Sequence, residues 1–309
     1  MRLFKYLTPE RTDVLKNQSI RFTQAKYLND PFEWLPFVNR LMSEIAAKNF
    51  YTNYIEPPIS EISNRKLNIN DIPEEYRDKI PKEVLDEVFK LTVGEGLNLL
   101  PQFHPEKLTQ LFLASGGEQF NINISELLKD SWNKYFGVLS LTQSKCNIPM
   151  WSHYAHNHQG FVIEFDPENN FFNPSQNNQE LAKQTKTVHY SDKRNEINIF
   201  EEGDDENSVL KRIADEIFFT KSSHWKDEEE VRVLDKLSNH NKKLQVDNQE
   251  IYLFDFEPEA VIAVYFGVNI SDQTRVDINK TLDSHLFGHV RRFKGDLDLR
   301  EYRINFSEE

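Results

Sequence analysis

The sequence predicts an α+β fold, a mixed β-core drawn from both ends of the chain with a helical insertion between them. Three observations carry this. Short runs near both ends alternate apolar and polar side chains, as half-buried strands do. Residues 32–136 instead place their apolar side chains three and four apart, as amphipathic helices do. The chain also has 23 Phe against 10 Gly, which points to aromatic core packing and few tight turns. On this reading 1–309 is a single domain, with 32–136 inserted between the strands of 1–24 and the β-rich part at 137–309.

Residues 1–24 read strand, short helix, strand: LFKYLT, then PERTDVLKN with Pro9 suited to a helix start, then SIRFTQ. AKYLNDPFEW is a structured loop, and Asp30-Pro31 within it forms a helix entrance. FEWLPFVNRLMSEIAAKNF sets Leu35, Val38, Leu41, Met42 and Ile45 at helical spacing. PKEVLDEVFKL repeats the pattern, as does ISELLKDSWNKYFG, with Ser125 as its N-cap and Gly137 as its stop. The polar stretch 54–78, with Pro57, Pro58 and Pro73, is a linker inside the insertion.

From residue 137 the order is strand VLSLT, short helix PMWSHYAHN ended by Gly160, strand FVIEFD and strand candidate KTVHYS. A solvated acidic loop (201–208) leads to the helix SVLKRIADEIFFTKS. VRVLD, IYLFDF and AVIAVYFG are strands, SDQTRVDINKTLDSHL is a helix capped by Ser271, and HVRRF and LREYRINF are edge strands.

The formal net charge of −13 repels nucleic-acid phosphates in general. The single cysteine, Cys146, allows no internal disulfide and no Cys-based zinc site. With no long apolar run, the N-terminus lacks a secretory signal, and no stretch approaches the length of a membrane span. These features give the expectation of a cytoplasmic protein without a membrane partner.

Four segments carry residues suited to chemistry. Arg21 lies mid-strand near Asp30 and Glu33, and such an Arg faces solvent, a partner or a cleft. Ser140, Thr142 and Ser144 alternate and share one face, where small hydroxyls can back a flat ring. His153, His156 and His158 invite a metal reading, but no standard ligand spacing matches. Glu228, Glu230 and Arg232 alternate and would face one way on a strand; two like charges there raise one carboxyl pKa, which suits acid–base work. A solvated acidic turn explains the same run without function.

LNDPFE, MWSHYAHNHQGFVIEFD, Lys221-Ser222, WKDEEEVR and PEAVIAVYFG together resemble the bacterial family called domain of unknown function 2971, from Phe4 to about Phe306, with the helical insertion matching least. The order Arg21, then Ser140-x-Thr142, then Glu228-x-Glu230 also resembles ADP-ribosyltransferases with an Arg–Ser–Glu site. The middle motif departs from that pattern, being SLTQS rather than contiguous Ser-Thr-Ser. This second resemblance implies a β-core of ADP-ribosyltransferase-like type and an enzyme that consumes NAD, as bacterial toxins and anti-phage effectors do. It implies no metal, and an acceptor that is protein, nucleic acid or water. Glu230 would stabilise an oxocarbenium-like ribose and Glu228 would orient the acceptor. Arg21, Ser140, Thr142, His153 and Tyr154 would hold NAD, with Asp30, Glu33, Lys221 and Arg232 supporting them. Two alternatives stand beside it: a metal-dependent nuclease or phosphoesterase using His153, His158, Glu164 and Asp166, and a non-enzymatic binding module in which Arg21 and the glutamates form a buried ion network.

Overall fold

A computed structural model describes residues 1–42, 45, 48–49, 52–53, 61, 63–72, 74–93, 95, 117–173, 183–201, 203 and 206–309. It is an α+β structure that divides into two compact units. The first comprises residues 1–36, 126–195 and 210–309, and the second 37–125 and 196–209.

The first unit is built on an eight-stranded mixed sheet. Its strands are β1 (Leu3–Leu7), β4 (Phe136–Thr142), β5 (Phe161–Phe165), β6 (Gln184–Thr187), β10 (Glu230–Lys236), β13 (Val261–Phe266), β14 (Arg291–Leu297) and β15 (Ile304–Glu308), in the spatial order β15-β14-β13-β5-β1-β4-β10-β6. All neighbours are antiparallel except β13 and β14. Alternation along β1 explains how the sheet is covered on both faces. Leu3 and Leu7 join the larger core with Ile163, Val231 and Val233; it is closed by Ile20 and Phe22 of β2 (Ser19–Phe22), Tyr252 and Phe254 of β12 (Gln249–Asp255), and Ile278 and Leu282 of a helix at Asp272–Leu282. Phe4 and Tyr6 point the other way and pack with Met150 and Trp151 of the helix Ile148–Tyr154. Trp151 is fully buried and meets the Tyr6 ring edge-on at 5.2 Å.

β2 does not extend the large sheet. It pairs with β12, which pairs in turn with β11 (Lys242–Val246). β2 connects to the large sheet at one point, where Thr23 and Val138 exchange backbone hydrogen bonds of 2.7 and 2.9 Å. β4 meets β1 in register only at Phe4 and Thr142, whereas β1 and β5 pair over their full length. β4 therefore parts from β1 and turns its other end toward Thr23. The crevice between the diverging strands is where the site described below is built.

Several sequence expectations change. The helical spacing over 35–45 gives instead β3 (Phe37–Met42), paired in parallel with β8 (Glu196–Phe200) in the second unit. Pro36 stands just before it, where a missing N–H suits a strand start. The helix expected from Ser125 begins at Gly117, so Ser125 is internal and buried rather than a cap. Gly137 is not a helix stop but a residue of β4: a Cβ there would lie 2.8 Å from Leu237 Cδ2 and 3.1 Å from Phe22 Cβ. Gly160 likewise does not end its helix, which stops at Tyr154. It permits a close crossing, since a Cβ there would meet the Leu7 carbonyl oxygen at 2.0 Å. KTVHYS splits into β6 and a short β7 (His189–Ser191) paired with β9 (Thr220–Ser222). The helix at Lys82–Val88 and the Ser271-capped helix form as expected, with Ser271 Oγ accepting the Thr274 N–H. Part of the acidic loop and much of the proline-bearing linker lie outside the described residues.

Candidate functional site

A cleft of about 710 Å³, part of it open to solvent, lies in the first unit. Its walls include Lys5 of β1, Ser140 of β4, Tyr154, Lys221 of β9, Glu228 and Glu230.

The floor of the cleft is a cluster of three carboxylates and two cations. Arg232 is fully buried, with Ser140 opposite it in register on β4. Its Nε donates to Glu230 Oε1 at 2.8 Å and its Nη2 to Glu230 Oε2 at 3.1 Å; Nη2 also donates to Glu33 Oε2. The Nη1 donates to the Phe218 carbonyl at 2.7 Å, where the chain forms a single π-type turn over Ala214–Phe218. Such turns are frequent at functional sites. Lys221 Nζ donates to Glu228 Oε2 at 2.6 Å and Glu230 Oε2 at 2.9 Å, and stands 3.5 Å from Glu33 Oε1. Tyr154 donates its hydroxyl proton to Glu228 Oε1 at 2.6 Å and accepts from Asn29 Nδ2 at 2.9 Å. The backbone N–H of Glu230 donates to the Tyr190 hydroxyl at 2.8 Å.

Local sequence explains how these groups meet. Glu230 and Arg232 alternate on β10, as expected, but Glu228 is not on the strand. It ends a 3-10 turn, Ser223–Glu228, and Glu229 takes a left-handed φ of 46° before β10 begins. That turn at Glu229 returns Glu228 to the face of Glu230. Glu33 is aimed by the loop Asp30–Trp34: Asp30 Oδ1 accepts the Phe32 N–H at 2.9 Å, and Trp34, at φ 56°, packs on Phe218 at 4.3 Å. Asn147 couples two walls, with Oδ1 capping the Tyr154 helix through the Met150 N–H at 3.0 Å and Nδ2 donating to the Asp227 carbonyl before Glu228.

The electrostatics differ along the cluster. Burial works against the charge of Glu230, but Arg232 and Lys221 outweigh it and hold its carboxyl down at about 2. Burial also opposes the charge on Lys221, and Glu230, Glu33 and Glu228 overcome it, so its pKa rises. At Glu33 burial wins over Arg232 and Lys221, and the carboxyl is pushed up. The Tyr154 hydroxyl is raised by burial and by Glu228; that of Tyr190 is pushed up to about 12, chiefly by burial. Lys5, whose Nζ donates to the Ser140 carbonyl at 2.8 Å, is lowered to about 8 by burial, against the pull of Glu230 and Glu228.

Of the residues singled out from the sequence, Glu33, Ser140, Tyr154, Lys221, Glu228 and Glu230 line the cleft, and Arg232 anchors them from beneath. Arg21 is not among the lining side chains. Ile20 and Phe22 take the core face of β2, so alternation turns Arg21 the other way, where its guanidinium stands 5.5 Å from the Tyr27 ring. Glu33 pairs with Arg232 instead of orienting Arg21, and Asp30 shapes the loop. Thr142 is fully buried and accepts the Ser144 N–H at 3.1 Å, outside the lining. His153 is exposed, also outside it. His158 packs on Trp151 at 6.1 Å, and Glu164 accepts from Tyr265 at 2.6 Å. Among the described residues no group of three His, Cys, Asp or Glu side chains is placed to hold a metal ion, and no helix is long and apolar enough to cross a membrane. Lys5, Asn147 and Tyr190 are site residues that sequence reading missed. The alternation of LFKYL carried one usable signal, a lysine inside an otherwise buried strand.

No curated protein and no solved structure matches the chain. A family model described as a protein of unknown function (DUF2971) matches residues 150–233. The likeness to DUF2971 read from the sequence thus holds over the segment that supplies Tyr154, Tyr190, Lys221, Glu228, Glu230 and Arg232 to this cleft.

Proposed function

We propose that the cleft binds NAD and cleaves its nicotinamide–ribose bond, passing ADP-ribose to water or to a macromolecular acceptor. The observation that carries this reading is the convergence of Glu228, Glu230, Ser140 and Tyr154 on one cleft between diverging strands. Leaving of nicotinamide builds positive charge on the ribose, and a carboxylate held permanently ionised stabilises it. Glu230, locked in its charged form by Arg232 and Lys221, has that property and needs no reorganisation during the step. Glu228 is the more exposed of the pair, at 12% against 4% for the Glu230 side chain, and Tyr154 and Lys221 fix both of its oxygens. It is placed to orient an acceptor hydroxyl or water. The β-core is then of ADP-ribosyltransferase-like type, with a cation other than Arg21 beside the ligand. No step requires a metal.

A second reading rests on the saturation of Glu230: both of its oxygens already accept from Arg232 or Lys221. In that reading the cluster is an ion network that shapes a non-enzymatic binding pocket. Nicotinamide release from NAD separates the two, measured on wild type and Glu230→Gln with cell extract as the acceptor source. Turnover by wild type, lost in the variant by a factor on the order of 10²–10³, supports the enzyme. Wild type that neither binds nor turns over NAD removes it.

A further inference from the structure

We propose that Lys5 is the anion-holding residue of this cleft and takes the pyrophosphate of the ligand. The assignment deepens the reading above and rests on it for the identity of the ligand, though not for the site itself. Lys221 and Lys5 are the lysines among the cleft's lining residues. Lys221 is committed to Glu33, Glu228 and Glu230. Among the described residues Lys5 has one hydrogen bond, to the neutral Ser140 carbonyl, and an ammonium has three N–H donors to give.

The backbone explains why a lysine sits there. β4 leaves β1 after the single pair Phe4–Thr142, so the Ser140 carbonyl has no β1 partner, and the Lys5 side chain crosses the gap to supply one. The ammonium is thereby held by the Ser140 carbonyl in the cleft that Glu228, Glu230 and Tyr27 also line. Its charged surroundings are mixed: Glu230 and Glu228 favour its charge, while Arg11 and Arg21 oppose it. Lys221, Glu33, Tyr6, Tyr27 and Tyr154 are the other titratable groups among the lining residues. Lys5 is half-buried, and a phosphate that enters the cleft can take a charge-assisted contact from the N–H donors its ammonium does not use on Ser140. The arrangement also sorts a ligand: its anionic part goes to Lys5, and the part that becomes cationic goes to Glu230.

The test is titration calorimetry of wild type, Lys5→Met and Arg21→Met with inorganic pyrophosphate and with ADP-ribose. Lys5→Met is expected to weaken both at least tenfold, and Arg21→Met less than threefold. The reverse ranking, or wild type that binds neither probe, overturns the assignment. Should Lys5→Met fail to fold, reductive methylation of wild type with peptide mass spectrometry gives the answer directly. Saturating pyrophosphate is expected to protect Lys5, and unchanged labelling overturns the proposal. Wild type that holds pyrophosphate through Lys5 yet releases no nicotinamide from NAD supports Lys5 as the anion site while removing the transferase reading.

Discussion

The two ends of the carboxylate cluster are built from the same residue types and behave differently. At the inner end Glu33, Arg232 and Glu230 are almost wholly buried and bond chiefly to one another. At the outer end Glu228 meets Lys221 and the Tyr154 hydroxyl, and among the described residues Lys5 hydrogen-bonds a carbonyl alone. The inner end is closed, so its charges hold the strands in register and set a fixed field. The outer end keeps donors and acceptors that a ligand can take over. The difference teaches that a charge pattern such as DEEEVR is one motif in sequence and two environments in space, with Glu229 as the hinge between them.

The largest expected effect breaks the inner end. Arg232→Met leaves two buried carboxylates without their shared partner and should cost about 3–5 kcal/mol in urea unfolding. A loss under 1 kcal/mol would show that the cluster does not hold the fold. The next test separates the two carboxylates on Arg232 by pH. The Glu230 carboxyl is held at about 2, below its ordinary 4.5, so its stabilisation is complete above pH 4.5 and disappears as pH falls toward 2. That window is worth on the order of 3 kcal/mol. Glu33 is raised above its ordinary value, so its contribution has the opposite sign, present at low pH and lost as pH rises through its folded value. Urea midpoints from pH 6 to 2.5 should therefore fall less steeply in Glu230→Gln than in wild type, and more steeply in Glu33→Gln. Parallel slopes in all three would contradict the electrostatic contrast.

Smaller changes sharpen the outer end. Asn147→Ala removes a helix cap and the link to the Asp227 carbonyl, and should cost about 1–2 kcal/mol while loosening both Tyr154 and Glu228. Its activity should fall more than its stability explains, whereas unchanged activity would show that the coupling is idle. Tyr154→Phe removes a single hydroxyl at the edge of the cleft and should lower stability by about 1 kcal/mol. Its expected mark is reduced transfer to an acceptor at nearly normal nicotinamide release.

Much of the frame was legible because alternation reports which face a side chain takes. LFKYL, FVIEF and VIAVYF form strands of the large sheet, and the pairing of Glu230 with Arg232 on one face followed from spacing alone. The misread pieces share a cause, namely that distant contacts decided them. Phe37–Met42 became a strand because β8 pairs with it, and Gly137 serves the approach of Leu237 and Phe22 rather than a helix end. In the site, Ser140, Tyr154, Lys221 and the two glutamates carried their own signals. Arg21 carried the same kind of signal, but β2 belongs to another sheet and sets its guanidinium against Tyr27 rather than among the lining side chains. Lys5 carried one signal, its place inside an otherwise buried strand, but its reach to Ser140 depends on where two strands part, which no local pattern records.

The most direct test of the whole account measures Glu228→Gln and Glu230→Gln side by side, recording thermal unfolding, nicotinamide release and ADP-ribose transfer on the same preparations. The account predicts that Glu230→Gln loses both stability and nicotinamide release, because it removes the fixed charge and a partner of Arg232 and Lys221. It predicts that Glu228→Gln keeps its melting temperature and its NAD hydrolysis but loses transfer. Glu228→Gln melting as low as Glu230→Gln, or Glu230→Gln releasing nicotinamide at the wild-type rate, would contradict it.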